Sequence, residues 1–230
     1  MKPAFWARRA HKWIALVVGV QALLWMLSGL YMTSISIDII HGDHLAHAGA
    51  KPLSPAVALI DPNTMAGQYP GMTMFRLKRF LDREVYELHQ PDAVTLVDAR
   101  SGVRLSPLDE ATARRLARSL YRGKAPIQAA ELLQQAPQEV ATRPVPIWRV
   151  SFADNNETTL YLSPHTGELL AKRHDLWRWF DFLWMFHIMD YQERTDVNNT
   201  LLRIAASIGL VFALSGLWLL FYNFSKRRPA

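Results

Sequence analysis

Residues 204–222 read IAASIGLVFALSGLWLLFY, nineteen positions without a charge. At 1.5 Å per residue such a run makes a helix of about 28 Å, close to the ~30 Å hydrocarbon core of a bilayer. Lys226, Arg227 and Arg228 follow at once. A second charge-free run, WIALVVGVQALLWMLSGLYM, covers 13–32 and follows Arg8, Arg9, His11 and Lys12. Basic residues at the outer ends of both runs form the positive-inside pattern. The pattern predicts two transmembrane helices, both termini cytoplasmic, and residues from about 38 to 197 outside. In a bacterium this places the chain in the inner membrane and its bulk in the periplasm. The first run is too long for a signal-peptide core and its exit lacks a small-x-small cleavage site, so it reads as an uncleaved anchor.

The net charge of +6 raises nucleic acid as a partner, but the basic residues cluster beside the apolar runs, and no nucleic-acid face is expected. There is no cysteine, which excludes disulfides, thiol catalysis and cysteine-held metal centres. Small residues recur in both runs, at Ala15, Gly19, Ala22 and Gly29 and at Ala205, Gly209, Ala213 and Gly216. Such stripes let helices approach closely in lipid, and Gln21 wants an interhelical partner there.

Between the runs the chain divides into segments. Residues 1–37 hold the first membrane helix. Residues 38–53 form a linker carrying His41, His44 and His47 at spacing three, a pattern that fits a metal or haem ligand set as well as a flexible polar connector. Residues 54–121 and 122–174 resemble each other at an offset of 65: Val85, Leu96, Val97, Gly102 and Leu105 match Val150, Tyr161, Leu162, Gly167 and Leu170. Each unit reads as alternating strands joined by turns, with Gly102 and Gly167 supplying positive φ. Helices are expected at 55–60, from Ser106 (an N-cap before Pro107) to about Tyr121, and at 127–135. The fold class is α+β, helices on antiparallel hairpins.

Residues 175–197 complete the extramembrane part and 198–230 the second membrane helix. Residues 176–191 read LWRWFDFLWMFHIMDY, with three Trp and three Phe. Trp177, Phe180, Trp184, His187 and Tyr191 fall at helical spacing on one face. The segment is short for a crossing and carries Arg178, Asp181 and Asp190, so it reads as an interfacial helix. A lone imidazole among aromatic rings is either packed structurally or ligates a b-type haem. His89, His165 and His174 fall in or near the hairpins and are expected at the surface. No catalytic triad, zincin motif, phosphate loop or dinucleotide fingerprint stands at a credible position.

The segments REVYEL and VTLVDARSG resemble a PepSY domain, and WRVSFADNNETTLYLSPHTGELL resembles a degenerate second copy. The opening RRAHKWIALVVGVQALLWMLSGL and closing LLRIAASIGLVFALSGLWLLFYNF resemble the PepSY-associated transmembrane family. That resemblance implies a relation to haem-containing ferrisiderophore reductases, and so to oxidoreductases of iron. It implies haem b held by His187, with Trp184 and Trp177 beside it. His11 and His44 are further ligand candidates, and a homodimer could complete two haems. Two functions follow. One is an electron-transfer subunit taking electrons from quinol or a cytoplasmic-side donor to a periplasmic flavoprotein or ferric complex. The other is a membrane-anchored PepSY module that contacts a periplasmic protein without a cofactor, for which an exposed strand edge is suited.

Overall fold

The computed structural model describes residues 3–49, 51–54 and 58–225; for 3–11, 14, 215, 216 and 218–225 it describes the backbone alone. The chain is α+β and forms two compact units. One unit contains α1 (Pro3–Ser34), α5 (Asp175–Ile188) from Trp179 onward, and α6 (Thr200–Ser225). The other is Ile37–Arg178.

In the first unit, α1 contains the stretch Ala15–Ser34, whose mean hydropathy of 1.8 over a membrane-length span makes it a candidate crossing. Its apolar side chains are largely exposed, Val17 at 68% and Met26 at 65%, as lipid-facing residues are. The small-residue stripes do not meet each other at Gly19, Gly29 or Gly209 among the described residues. Among the described residues nothing lies within 4 Å of where a Cβ would stand on Gly19 or Gly209. Gly29 is close instead to His187, whose Cε1 is 3.6 Å from such a Cβ. The expected stripe packing is therefore absent inside one chain at Gly19 and Gly209; the side-chain position of Gly216 lies outside the described residues.

The second unit carries two antiparallel sheets. The first is β1 (Met74–Phe80), β2 (Arg83–Gln90) and β3 (Ala93–Asp98) in that order. The second is β4 (Ile127–Leu133), β5 (Ile147–Phe152), β6 (Thr159–Leu162) and β7 (Leu169–Arg173). A short helix, α2 (Ile37–Ile40), opens the unit. Helix α3 (Pro62–Gln68) precedes the three strands of the first sheet and α4 (Glu110–Leu120) the four of the second. Gly102 and Gly167 both have positive φ, 74° and 67°, the turn conformation glycine adopts without a Cβ clash. The segment after the glycine turn differs between the halves. After Gly102 only a single bridge forms, Val97 to Arg104, whereas after Gly167 β7 pairs fully with β6.

Both sheets share one core. Phe80, Val85 and Leu96 from the first meet Val150, Leu160 and Leu162 from the second around Ala113, Leu116 and Ala117 of α4. Each fully buried Leu, Val or Phe contributes about 1.5–3 kcal/mol relative to exposure, so the two sheets stabilise each other. The opposite face of the first sheet (Tyr86, Leu88, Val97) packs on Met65 of α3. That of the second (Ile147, Tyr161) packs on Val140.

Three sequence expectations are corrected here. The helix expected at 127–135 is the strand β4, because its partner β5 supplies a ladder from Ile127 to Leu133 that outweighs the local preference of Ala, Glu, Leu and Gln for helix. Helix α4 starts later than Ser106. The Ser106 hydroxyl is buried and accepts from the Leu96 N–H at 2.9 Å, and the cap is Asp109, accepting from the Thr112 N–H at 2.8 Å. The helix expected at 55–60 falls partly outside the described residues; 58–60 are irregular, and α3 begins instead after the cap Asp61.

Candidate functional site

α5 is an aromatic helix with two working faces. Trp179, Phe182, Phe186 and Tyr191 make edge-to-face contacts along the outer one, and Trp179 is 61% exposed. On the inner face Phe180 stacks on Trp184 (6.2 Å, 9°), and Trp184 stacks on His187 (6.4 Å, 16°). Trp25 of α1 also meets the imidazole, at 5.8 Å and a tilt of 42°. Trp177 and Tyr191, expected on the His187 face, are engaged elsewhere. Trp177 lies 3.8 Å beneath the Arg173 guanidinium, and Tyr191 meets Phe186.

His187 is oriented by its neighbours. The Ser28 hydroxyl lies 3.0 Å from the Trp25 carbonyl and 3.0 Å from Nδ1 of His187, so it holds that edge of the ring. Nε2 has no hydrogen-bond partner among the described residues. An imidazole held through one nitrogen and open at the other is oriented as metal-ligating histidines are.

The helix end is fixed by side chains from both neighbours in its unit. A helix leaves its last carbonyls without internal partners. The Trp25 indole donates to the His187 carbonyl, and Asn199 Nδ2 donates to the Ile188 carbonyl at 2.8 Å. Asn199 Oδ1 also accepts from the Leu202 N–H, which starts α6. Between them, the Asp190 carboxylate accepts from the backbone N–H groups of Gln192, Glu193, Thr195 and Asp196. Those bonds, Asp196 foremost, hold its pKa down to about 2. Arg194 pairs with Asp181, and its carbonyl accepts from the Trp184 indole at 3.1 Å.

The linker histidines sit in the other unit. His44 meets His174 edge-on at 5.8 Å. His174 is buried rather than at the surface as expected; its Nε2 donates to the Ile40 carbonyl at 3.0 Å, and burial pushes its pKa down. Asp43 pairs with Lys172, and that hydrogen bond lowers its pKa. The backbone N–H of His47 donates to the Leu120 carbonyl. His41, His44 and His47 are not gathered, and among the described residues no three His, Asp or Glu side chains form a metal-binding group. The side chain of His11 lies outside the described residues. His89 faces the buried Glu87 carboxylate at 2.8 Å.

Ser28, Trp25, Asp190, Arg194 and Asn199 were not singled out by the sequence reading as parts of this site. The only signal for Ser28 is a hydroxyl inside an apolar run, and Leu-Ser-Gly-Leu at 27–30 recurs at 214–217.

A long apolar N-terminal helix attached to an α+β unit defines a membrane-associated protein with a folded extramembrane part. The chain belongs to the PepSY-associated TM region family, whose model matches residues 8–230. No curated protein and no solved structure matches it.

Proposed function

We propose that this membrane-associated PepSY protein is an inner-membrane electron-transfer subunit in which His187 serves as an axial ligand of a b-type haem. One observation carries the reading: the Ser28 hydroxyl engages Nδ1 of His187, Trp25 and Trp184 stand beside the ring, and Nε2 has no hydrogen-bond partner among the described residues. The donor set fits one axial ligand with aromatic walls, Trp25 and Trp184. A haem bound here supplies one-electron transfer, with its potential tuned by the ligand and the surrounding hydrogen bonds. The chain's own part is to orient the imidazole through Ser28, to exclude water with the indoles, and to hold the end of α5 through Trp25 and Asn199.

In this reading α6 is the second crossing, both termini are cytoplasmic, and two PepSY-like repeats lie in the periplasm. The backbone of α6 is 26 residues long, enough to span, and the basic residues after position 225 support the orientation. Electrons would come from quinol or a cytoplasmic-side donor and leave to a periplasmic flavoprotein or ferric complex. A second protein ligand to that haem would come from a second chain.

The test is an absorption spectrum of detergent-purified protein from haem-replete cells. A Soret band with visible bands that sharpen on reduction is expected. A colourless protein overturns the reading and leaves the cofactor-free binding module.

A further inference from the structure

β1 is an edge strand. Leu81 and Asp82 form a two-residue turn that makes Phe80 and Arg83 directly opposed partners. In such a hairpin the flanking pair is hydrogen-bonded, and bonded and non-bonded residues then alternate. Arg76, Lys78 and Phe80 thus turn their backbone groups toward β2, while Phe75, Leu77 and Arg79 turn theirs outward. Among the described residues no backbone partner reaches those three. Beside this edge lies a cavity of about 570 Å³. Phe80, Leu116, Leu120 and Leu169 give it an apolar floor, and Lys51, Arg76, Lys78 and Arg79 stand around it, with Glu168 the one acid among its described lining residues.

Two of the four cations are already neutralised. Arg76 and Lys78 pair with the buried Glu87, and Arg76 also with Glu168. The other two are available to a partner. Lys51 is exposed and has no ionic partner among the described residues, and Arg79 donates to the Ser54 hydroxyl rather than to a carboxylate. Charged side chains on an edge strand often serve only to block self-association. That role does not require an apolar cavity alongside.

We propose that the outer edge of β1 receives an extended acidic segment of a partner protein. The segment adds as a fourth strand through the outward N–H and C=O groups of Phe75, Leu77 and Arg79. Its alternate apolar side chains enter the cavity, and its carboxylates meet Lys51 and Arg79. The proposal does not depend on haem, and the colour of the protein does not bear on it.

The experiment uses the full-length protein in nanodiscs and three labelled octapeptides: glutamate alternating with valine, lysine alternating with valine, and the same glutamates and valines in two blocks. Binding is read by fluorescence anisotropy at low salt, and backbone protection by amide hydrogen exchange. The alternating acidic peptide should bind at least roughly tenfold tighter than the other two, a difference expected when charge and strand register both match. It should slow exchange at Phe75, Leu77 and Arg79. Lys51→Glu or Arg79→Glu should weaken it by roughly three- to tenfold; Lys51 is exposed, so its substitution does not disturb the fold. Equal binding of the block peptide, unprotected β1 amides, or an unchanged affinity in Lys51→Glu would each overturn the proposal. Peptide-free protection of those amides that rises with protein concentration would also overturn it, by giving the edge to a second copy.

Discussion

His174 stands immediately before α5 and His187 near its end, yet the two imidazoles are held by opposite nitrogens. His174 commits Nε2 to the Ile40 carbonyl and is buried at 3% exposure. His187 commits Nδ1 to Ser28 and leaves Nε2 uncommitted. The first is a cross-link between a linker and a sheet, a structural use of a histidine. The second is oriented but not consumed. Either nitrogen of an imidazole can serve as a ligand, so burial, complete at His174 and partial at His187, is what separates the packing histidine from the potential ligand.

Substitution at the two positions gives the sharpest contrast. His187→Ala should abolish the haem spectrum expected above, while His174→Ala should leave it intact. Equal spectra from both variants would erase the distinction. Next comes Ser28→Ala, which removes the hydroxyl that holds Nδ1. Orienting partners of metal-bound histidines are worth roughly 10- to 100-fold in affinity, so haem retention in a titration should drop by about tenfold, and Ser28→Thr should restore it. His174→Ala should cost about 1–3 kcal/mol in denaturant unfolding, because the Ile40 carbonyl is left buried without its donor.

The smallest effect is one of pH. Burial depresses the His174 pKa below its ordinary 6.5, so the unfolded chain binds the extra proton first. The stability due to this group is complete above about 6.5 and declines as pH falls from there toward the depressed value. His174→Gln should flatten that part of the denaturant-midpoint-versus-pH curve. A wild-type curve already flat between pH 7 and 5 would show that His174 does not titrate on unfolding.

Much of the fold is legible because it rests on local pattern. The charge-free run before Ser34 marks a membrane-length helix, and Gly102 and Gly167 mark turns because only a residue without Cβ adopts their φ easily. The resemblance read from REVYEL, VTLVDARSG and the two apolar ends is borne out by the family match. The misreadings came where a distant partner decides. Ile127–Leu133 has helical composition but is paired by β5, and Ser106 looks like a cap but is claimed by the Leu96 backbone. The candidate site divides in the same way. His187 is conspicuous as a lone imidazole in an aromatic segment. Ser28 lies 159 positions away, and no periodicity links the two.

The shared core of the two sheets has a consequence for synthesis. Phe80, Val85 and Leu96 are made well before Val150 and Leu160, the residues that cover them. At 5–20 residues per second, translation leaves that apolar face waiting on the order of ten seconds for its other half. Helix α4 does not close it early, because α4 packs chiefly on β4, β5 and β6, which are made later. The nascent chain thus passes through a stage in which a sticky surface is complete and its lid is not. A helper that shields extended apolar chain during that interval should raise the yield of folded protein more than one acting after release.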